Sequence, residues 1–191
     1  MTLALQSCCF VKWFIDHLSI TGRAGVIVPN GVLFGGTKAA IKVRELLVNE
    51  YGLQAVINLA SGVFKPYSGV GTAILIIDRS KAKRKKDDFI WFYDLTADGF
   101  SLDDKRAEVP ENDIPDIVSK WQNREEGKNS FRVPVIKILE NEDRSLALSR
   151  FKSIIPQVIE HEDPKSILSD VNKIEQEILI LTNKLLGELE K

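Results

Sequence analysis

The chain has 191 residues, 26 basic and 27 acidic side chains, and a formal charge of −1. Its length suffices for one domain with its own core plus a smaller appendage, and a composition of 44% hydrophobic and 28% charged residues excludes an intrinsically disordered chain. A protein that binds nucleic acid by net charge alone is usually clearly basic, so that mode of binding is excluded.

The cysteines, the histidines and the first residues exclude further classes. Cys8 and Cys9 are adjacent, a spacing that rarely forms a disulfide, and we interpret them as small core residues on a helix. His17 and His161 are the only histidines, so we predict no metal site. The first residues carry neither a signal peptide pattern nor an apolar span, which predicts a cytoplasmic protein with no membrane contact.

Helices and strands alternate in the first part of the chain. Apolar residues at three- and four-residue spacings predict a helix over residues 3–18. The apolar run 24–28 lacks polar alternation and predicts a strand buried on both faces. Residues 29–36 are predicted to form a loop, after which Thr37 caps a helix that ends near Glu50.

Three further strands are predicted, over residues 53–59, 72–77 and 89–93, with a long loop at 61–71. This order of elements predicts an α/β fold with a late antiparallel hairpin. A doubly wound nucleotide-binding sheet normally opens with a strand, a glycine-rich turn and a helix. Because this chain opens with a helix, we predict the second half of a Rossmann-like sheet.

The pattern changes after a turn-rich segment at 97–111, a short helix at 113–123 and a mixed segment ending near Arg150. From Lys165 onward the apolar spacing averages 3.5 residues and predicts a coiled-coil-like helix, packed either on its own domain or on another chain. We therefore divide the chain into residues 1–155 and a helical tail, 156–191. The residues of the seam are Leu168, Val171, Ile174, Ile178, Leu181 and Leu185.

Three segments together resemble the modification subunits of type I restriction-modification systems. The first, residues 22–34, resembles the strand and loop after the catalytic motif, and the second, residues 61–75, is similar to a later motif of the family. The third, residues 91–106, resembles the segment that follows it. The segments occur in the expected order, so the chain is similar to the carboxy-terminal part of a DNA adenine methyltransferase subunit.

The resemblance implies transfer of a methyl group from S-adenosylmethionine to the exocyclic amine of an adenine flipped out of DNA. It also implies a glycine-rich turn for the cofactor, an Asn-Pro-Pro-Phe loop for the amine and a later aromatic ring that stacks on the base. The first two motifs are absent from this sequence. We therefore expect this fragment neither to bind the cofactor nor to be active alone, and we assign no catalytic residue.

Phe64 stands where related enzymes carry the base-stacking aromatic residue, and stacking of this kind contributes roughly 1–3 kcal/mol. The alternative is a core position that caps the sheet. Lys65 and Tyr67 are weaker candidates for the same pocket, since loop residues of these types usually have solvated polar tips. Asn30 is a candidate for the adjoining pocket loop, with ordinary turn chemistry as the alternative.

Two charged clusters have two explanations each. Contact with DNA phosphates is one explanation for the five basic residues within 81–86, and a charged hairpin tip is the other. The DNA-backbone candidates in that run are Lys83, Arg84, Lys85 and Lys86. The acidic residues Asp98, Asp103 and Asp104 lack the ligand spacing of a calcium loop and indicate a solvated turn.

The resemblance also implies partners, namely DNA, the specificity subunit and the restriction subunit of a type I complex. In this family the final helices pack against the specificity subunit, which reads the DNA sequence. Uncovered sheet surface makes self-association a further expectation. A non-enzymatic protein that binds the specificity subunit through residues 165–190 is the alternative. An unrelated nucleotide-binding domain is disfavoured because the sequence lacks a phosphate loop.

Overall fold

The computed structural model describes residues 3–82, 88–152, 172–179 and 181–182. The chain divides into two compact units, Met1–Lys152 and Ser153–Lys191. The helices of the first unit are α1 (Leu3–Asp16), α2 (Gly31–Phe34), α3 (Lys38–Asn49), α4 (Ile114–Trp121) and α5 (Val135–Glu140). Its strands are β1 (Arg23–Pro29), β2 (Leu53–Leu59), β3 (Thr72–Asp78), β4 (Phe89–Leu95), β5 (Asp98–Phe100), β6 (Glu108–Asn112) and β7 (Ser130–Pro134).

A five-stranded mixed sheet lies at the centre of the first unit, in the order β1-β3-β2-β4-β7. Strands β2 and β4 are parallel, while β3 runs antiparallel to both β1 and β2 and β7 runs antiparallel to β4. The predicted mixed α/β class and the antiparallel pairing of β2 with β3 are confirmed. Because β1, β2 and β4 run in one direction, their carboxyl ends meet at one edge of the sheet.

Helices cover both faces of this sheet. One face packs on α1 and α3, and its fully buried side chains include Ile15, Leu47 and Phe92. The other face packs on α4, whose Trp121 meets the ring of Trp91 edge-on with centroids 6.1 Å apart. Each cluster removes large apolar side chains from water, which is the dominant favourable contribution to folding.

Local signals account for the limits of α3. The Thr37 hydroxyl accepts a hydrogen bond from the backbone N–H of Ala40 at 3.3 Å, as the capping prediction requires. After the helix, Gly52 adopts a φ of +67°, a conformation that glycine adopts without steric cost. On α1, Cys8 is buried as predicted, but Cys9 is exposed, so its assignment to the core is wrong.

Strand β1 corrects one prediction, because it is not buried on both faces. Among the described strands it is the outermost on one side of the sheet and pairs only with β3. Val26 and Val28 point into the core, and Ile27 is exposed. An edge strand with one covered face buries only alternate residues, even when the exposed ones are apolar.

The segments predicted as loops or left unassigned contain further elements. Helix α2 occupies part of the predicted loop 29–36, because Val32 and Leu33 turn into the core. Strands β5 and β6 form a two-stranded ribbon that occupies most of the turn-rich segment 97–111 and ends one residue beyond it. Strand β7 and α5 follow α4, which itself agrees with the helix predicted at 113–123.

In the second unit, residues 172–179 and 181–182 are helical. Ile174, Ile178 and Leu181 of the predicted seam are exposed there, whereas Leu168, Val171 and Leu185 lie outside the described residues. The assembly role of residues 156–191 stays a prediction. Among the described residues, no helix combines the length and apolar character needed to cross a bilayer.

Candidate functional site

The carboxyl ends of β1, β2 and β4 open into a cleft of about 620 Å³. Asn30 follows β1, while Asn58 and Asp94 occupy the second-to-last positions of β2 and β4. These two strands place Asn58 directly beside Asp94, and the Asn58 amide donates to Asp94 Oδ1 at 3.0 Å. The cleft therefore has a polar floor built from the ends of β2 and β4, which are adjacent, and of β1, which lies on the far side of β3.

A wall of the cleft comes from residues 143–150, far away in sequence. The backbone N–H of Leu146 donates to the carbonyl of Leu33 at 2.8 Å, which ties this segment to α2. Just beyond it, Lys152 Nζ donates to Asp94 Oδ2 at 2.9 Å. Both carboxylate oxygens of Asp94 are thus engaged, one from β2 and one from the far segment.

Arg44 on α3 holds this wall from inside the core. Its side chain is fully buried and donates to the carbonyls of Val32 at 2.9 Å, Gly35 at 2.8 Å and Asp143 at 2.6 Å, with a longer contact to Arg144 at 3.2 Å. Burial lowers the pKa of Arg44, although a guanidinium stays protonated in proteins.

Sequence reasoning missed Arg44. A charge within the apolar stripe of α3, three residues before the buried Leu47, was the signal available to find it.

Asn30 lies between the cleft and the 61–71 loop. Its backbone N–H donates to the carbonyl of Gly71 at 3.0 Å. Asn30 Oδ1 is buried without a hydrogen-bond partner among the described residues, and so is Thr72 Oγ1 nearby on β3. The Asn30 side chain does not cap α2, so helix capping does not account for its amide. A buried acceptor without a donor carries a desolvation cost that a donating group would offset.

The loop 61–71 carries the other pocket candidates. The Phe64 side chain is 36% exposed, outside both buried clusters, and Tyr67 is 95% exposed. Lys65 pairs with Asp104 at 3.4 Å. A Cβ on Gly62 would lie 2.7 Å from the carbonyl oxygen of Leu102, so the loop passes close against the residues that follow β5. The loop begins where β2 ends, at the same edge of the sheet as the cleft.

The four basic DNA-backbone candidates, residues 83–86, lie outside the described residues. The residues on either side of them adjoin the opposite edge of the sheet from the cleft. A Cβ on Gly52, just before β2, would lie 3.0 Å from the backbone of Lys81, while Asp88 directly precedes β4. A seven-residue strand spans roughly 20 Å, so that distance separates these flanks from the carboxyl ends of β2 and β4.

Within the described parts of the chain, no three histidine, cysteine or acidic side chains converge as a metal site would require. The acidic residues near β5 make local contacts instead. Asp98 pairs with Arg106, and Asp103 accepts from the Ser101 hydroxyl at 2.9 Å, which together with backbone hydrogen bonds lowers the Asp103 pKa. Asp103 agrees with the predicted turn, whereas Asp98 lies on β5 with its side chain largely buried against Arg106, so its assignment to a solvated turn is wrong.

Comparison with known proteins identifies the family to which this chain belongs. The family model described as N-6 DNA Methylase matches residues 4–157. The EcoEI methylase subunit of a type I restriction enzyme from Escherichia coli is 29% identical over 185 residues, which cover 92% of this chain and 36% of that protein. The EcoKI methylase subunit from strain K12 is 27% identical over 207 residues, which cover 95% and 38%.

A modification subunit of a putative type I restriction enzyme from Vibrio vulnificus YJ016 shares the fold, with a TM-score of 0.59 and 24% identity over 72% of this chain and 30% of that one. This chain thus spans little more than a third of the length of its curated relatives, 36% of the first and 38% of the second. The match over residues 4–157 covers most of the sequence. The chain accordingly belongs to the N-6 DNA methylase family and is similar to part of the methylase subunits of type I restriction enzymes.

Proposed function

We propose that this chain is part of a type I restriction-modification subunit that transfers a methyl group from S-adenosylmethionine to the exocyclic amine of adenine in DNA. In this proposal its sheet is the second half of a Rossmann-like methyltransferase fold, and its cleft and 61–71 loop form one wall of the pocket for the extruded adenine. The restriction and specificity subunits are its proposed partners.

One observation carries the proposal. The loop with Phe64 and the turn with Asn30 leave the sheet at the same edge and are joined there by the 3.0 Å hydrogen bond from Asn30 to Gly71. Open α/β sheets bind ligands outside the carboxyl ends of their strands. A partly exposed ring and an amide oxygen are groups that stack on a base and accept a hydrogen bond from its amine.

The described residues do not fit a site for S-adenosylmethionine. The turn from β1 to α2 is short, and Val32 and Leu33 are buried against the core, so no glycine-rich cradle forms there. The Asp94 carboxylate, at the end of β4, is occupied by Asn58 and Lys152. We propose that this chain binds no cofactor and transfers no methyl group by itself. Methyl transfer to DNA by the purified chain would contradict this.

The experiment on base stacking uses the full 191-residue chain and a single-stranded oligonucleotide in which 2-aminopurine replaces one adenine. We expect Phe64→Ala to weaken binding roughly 5- to 150-fold, since one stacking contact contributes about 1–3 kcal/mol, and Phe64→Trp to retain it. Phe10→Ala is the matched control because Phe10 is exposed on α1. Equal affinities for the wild type and Phe64→Ala would reject the stacking role.

A second candidate function is non-enzymatic binding of the specificity subunit through the tail. Three apolar side chains of the predicted seam, Ile174, Ile178 and Leu181, are each more than half exposed. An apolar stripe on a helix is normally buried against a partner. This candidate is the alternative to the first, because it requires no base binding in the cleft of Met1–Lys152.

A further inference from the structure

Two cations stand beside the cleft on the segment that forms its wall. Arg150 lines the cleft, and Lys152 follows two residues later with its ammonium on Asp94, which also lines it. Their side chains are 50% and 46% exposed, whereas those of their acidic partners, Asp143 and Asp94, are 28% and 20% exposed. The positive charges therefore lie nearer to solvent than the negative ones.

Among the residues that the structure describes, Arg150 and Lys152 each contact a single carboxylate. Arg150 Nη2 contacts Asp143 Oδ2 at 2.7 Å, and Lys152 Nζ contacts Asp94 Oδ2 at 2.9 Å. A guanidinium has five N–H donors and an ammonium has three. One contact to a carboxylate fixes the direction of each group and leaves donors for an anion at the rim.

We propose that Arg150 and Lys152 anchor the phosphodiester of a DNA nucleotide whose base enters the cleft. This inference rests on the proposed function and adds a phosphate contact to it. A guanidinium matches two phosphate oxygens at once, and an ammonium adds a point charge. The cleft, at about 620 Å³, is within the usual range for small-ligand sites.

The residues that flank the basic run lie away from the cleft. Its flanking residues, Lys81 and Asp88, lie at the opposite edge of the sheet from the cleft. Arg150 and Lys152 are at the correct edge.

The competing explanation is that the two ion pairs only fasten residues 143–152 to the sheet. Other hydrogen bonds also hold this segment in place, since Arg44 donates to the carbonyl of Asp143 and the backbone N–H of Leu146 donates to the carbonyl of Leu33. A test must nevertheless distinguish the loss of a structural ion pair from the loss of a phosphate contact.

The experiment measures fluorescence anisotropy of a fluorescein-labelled, adenine-rich single-stranded 12-mer with the full chain over a series of NaCl concentrations. We expect salt-dependent binding, with the magnitude of the log–log salt slope reduced by about 1.4 in Arg150→Gln/Lys152→Gln, because each lost contact with single-stranded DNA removes about 0.7. Lys42→Gln is the matched control. Lys42 is also exposed and ion-paired, with Glu45 at 2.9 Å, and its loss should leave the slope unchanged.

A charge swap separates the two explanations. The double variant Asp94→Lys/Lys152→Asp retains an ion pair but reverses the charge at the rim, so we expect it to bind DNA no better than Lys152→Gln. Wild-type affinity in the swap would overturn the proposal, as would an unchanged slope in the glutamine variants or the absence of salt-dependent binding by the wild type. Displacement of the oligonucleotide by inorganic phosphate at equal ionic strength would also overturn it, by indicating a site for free anions.

The proposed function can fail independently. If Phe64→Ala weakens binding while the double glutamine variant keeps the wild-type slope, the stacking role stands and the phosphate anchor does not. If the slope falls but Phe64→Ala has no effect, the anchor stands and the stacking role does not.

Discussion

Arg44 and Asp143 meet through the main chain, because the buried guanidinium donates to the Asp143 carbonyl at 2.6 Å and not to its carboxylate. The carboxylate pairs instead with Arg150 at 2.7 Å. Asp143 thus joins a buried donor on α3 to a half-exposed cation at the cleft. Arg44 therefore supports the wall of the cleft, although Arg44 itself does not line the cleft.

Replacement of Arg44 should destabilise the fold. Arg44→Met leaves several buried carbonyls without a donor, and we expect a loss of about 3–5 kcal/mol in the free energy of unfolding, a range typical of disrupted buried charged networks. Arg44→Lys keeps the charge but cannot reach all of these carbonyls, so its loss should be smaller. Urea unfolding followed by circular dichroism measures both.

Lys42→Met is the control for this prediction, since Lys42 is exposed on the same helix. It should change the free energy of unfolding by less than about 0.5 kcal/mol, as surface substitutions usually do. Equal stabilities for the Arg44 and Lys42 variants would show that the buried guanidinium is dispensable.

Gly71→Ala tests the position of the Asn30 amide. A Cβ on Gly71 would lie 2.7 Å from Asn30 Nδ2, so the amide must move. Because a displaced side chain costs about 0.5–1.5 kcal/mol, we expect a modest loss of stability but a clear loss of affinity for the 2-aminopurine oligonucleotide. Gly36→Ala is the control, since a Cβ there has no atom within 4 Å among the described residues. Unchanged affinity in Gly71→Ala would remove Asn30 from the site.

Much of this architecture was predictable from the sequence, and the exceptions have physical reasons. The periodicity of α3 and the mainly apolar run of β2, which only Gln54 and Asn58 interrupt, are local signals, and both elements were predicted within a residue or two. The same kind of run misled at β1, because edge position is a property of the sheet and not of the strand. Strand β7, with Arg132 exposed between half-buried Phe131 and buried Val133, is too short for a clear alternation.

The candidate site was only partly predictable for a related reason. Phe64 was identified from a motif, since the motif spans neighbouring residues. Arg44 binds main-chain carbonyls of residues about 100 positions away. Because every residue has a carbonyl, these contacts do not restrict which amino acids occupy the accepting positions, and the sequence does not reveal them. The contact between Lys152 and Asp94 spans 58 positions and joins residues that carry no shared pattern.

Acid should remove a contribution of Asp116 to stability. Lys120 Nζ donates to Asp116 Oδ2 at 2.7 Å and the Tyr93 hydroxyl at 2.8 Å, and in that order they lower the Asp116 pKa below its usual value. A lowered folded-state pKa stabilises the fold above the unfolded value, near 3.9, and this stabilisation is lost as pH falls through the folded pKa. Asp116→Asn should therefore be less stable than wild type at pH 6, with the difference shrinking towards pH 3.

Urea midpoints at the two pH values measure this effect, and Glu111→Gln is a matched removal of an exposed carboxylate on β6. The effect of Asp116→Asn should be small, because its side chain is 42% exposed and solvent screens such pairs. If the difference in urea midpoint between Asp116→Asn and wild type stays constant from pH 6 to pH 3, the hydrogen bonds of Asp116 stabilise the fold whether or not its carboxyl group is charged.

The tail gives a prediction that separates assembly from base binding. Ile174→Glu/Ile178→Glu places two charges on the exposed apolar side of the helical residues 172–179. If this side packs on the specificity subunit, the variant should lose co-purification with that subunit, because burying an unpaired charge is unfavourable. Its affinity for the 2-aminopurine oligonucleotide should match wild type. Light scattering of the chain alone reports whether the same residues drive self-association.

Glu175→Gln/Glu177→Gln is the control, since it changes two exposed charges on the same helical residues. Retained co-purification by the isoleucine variant would show that the seam takes no part in assembly.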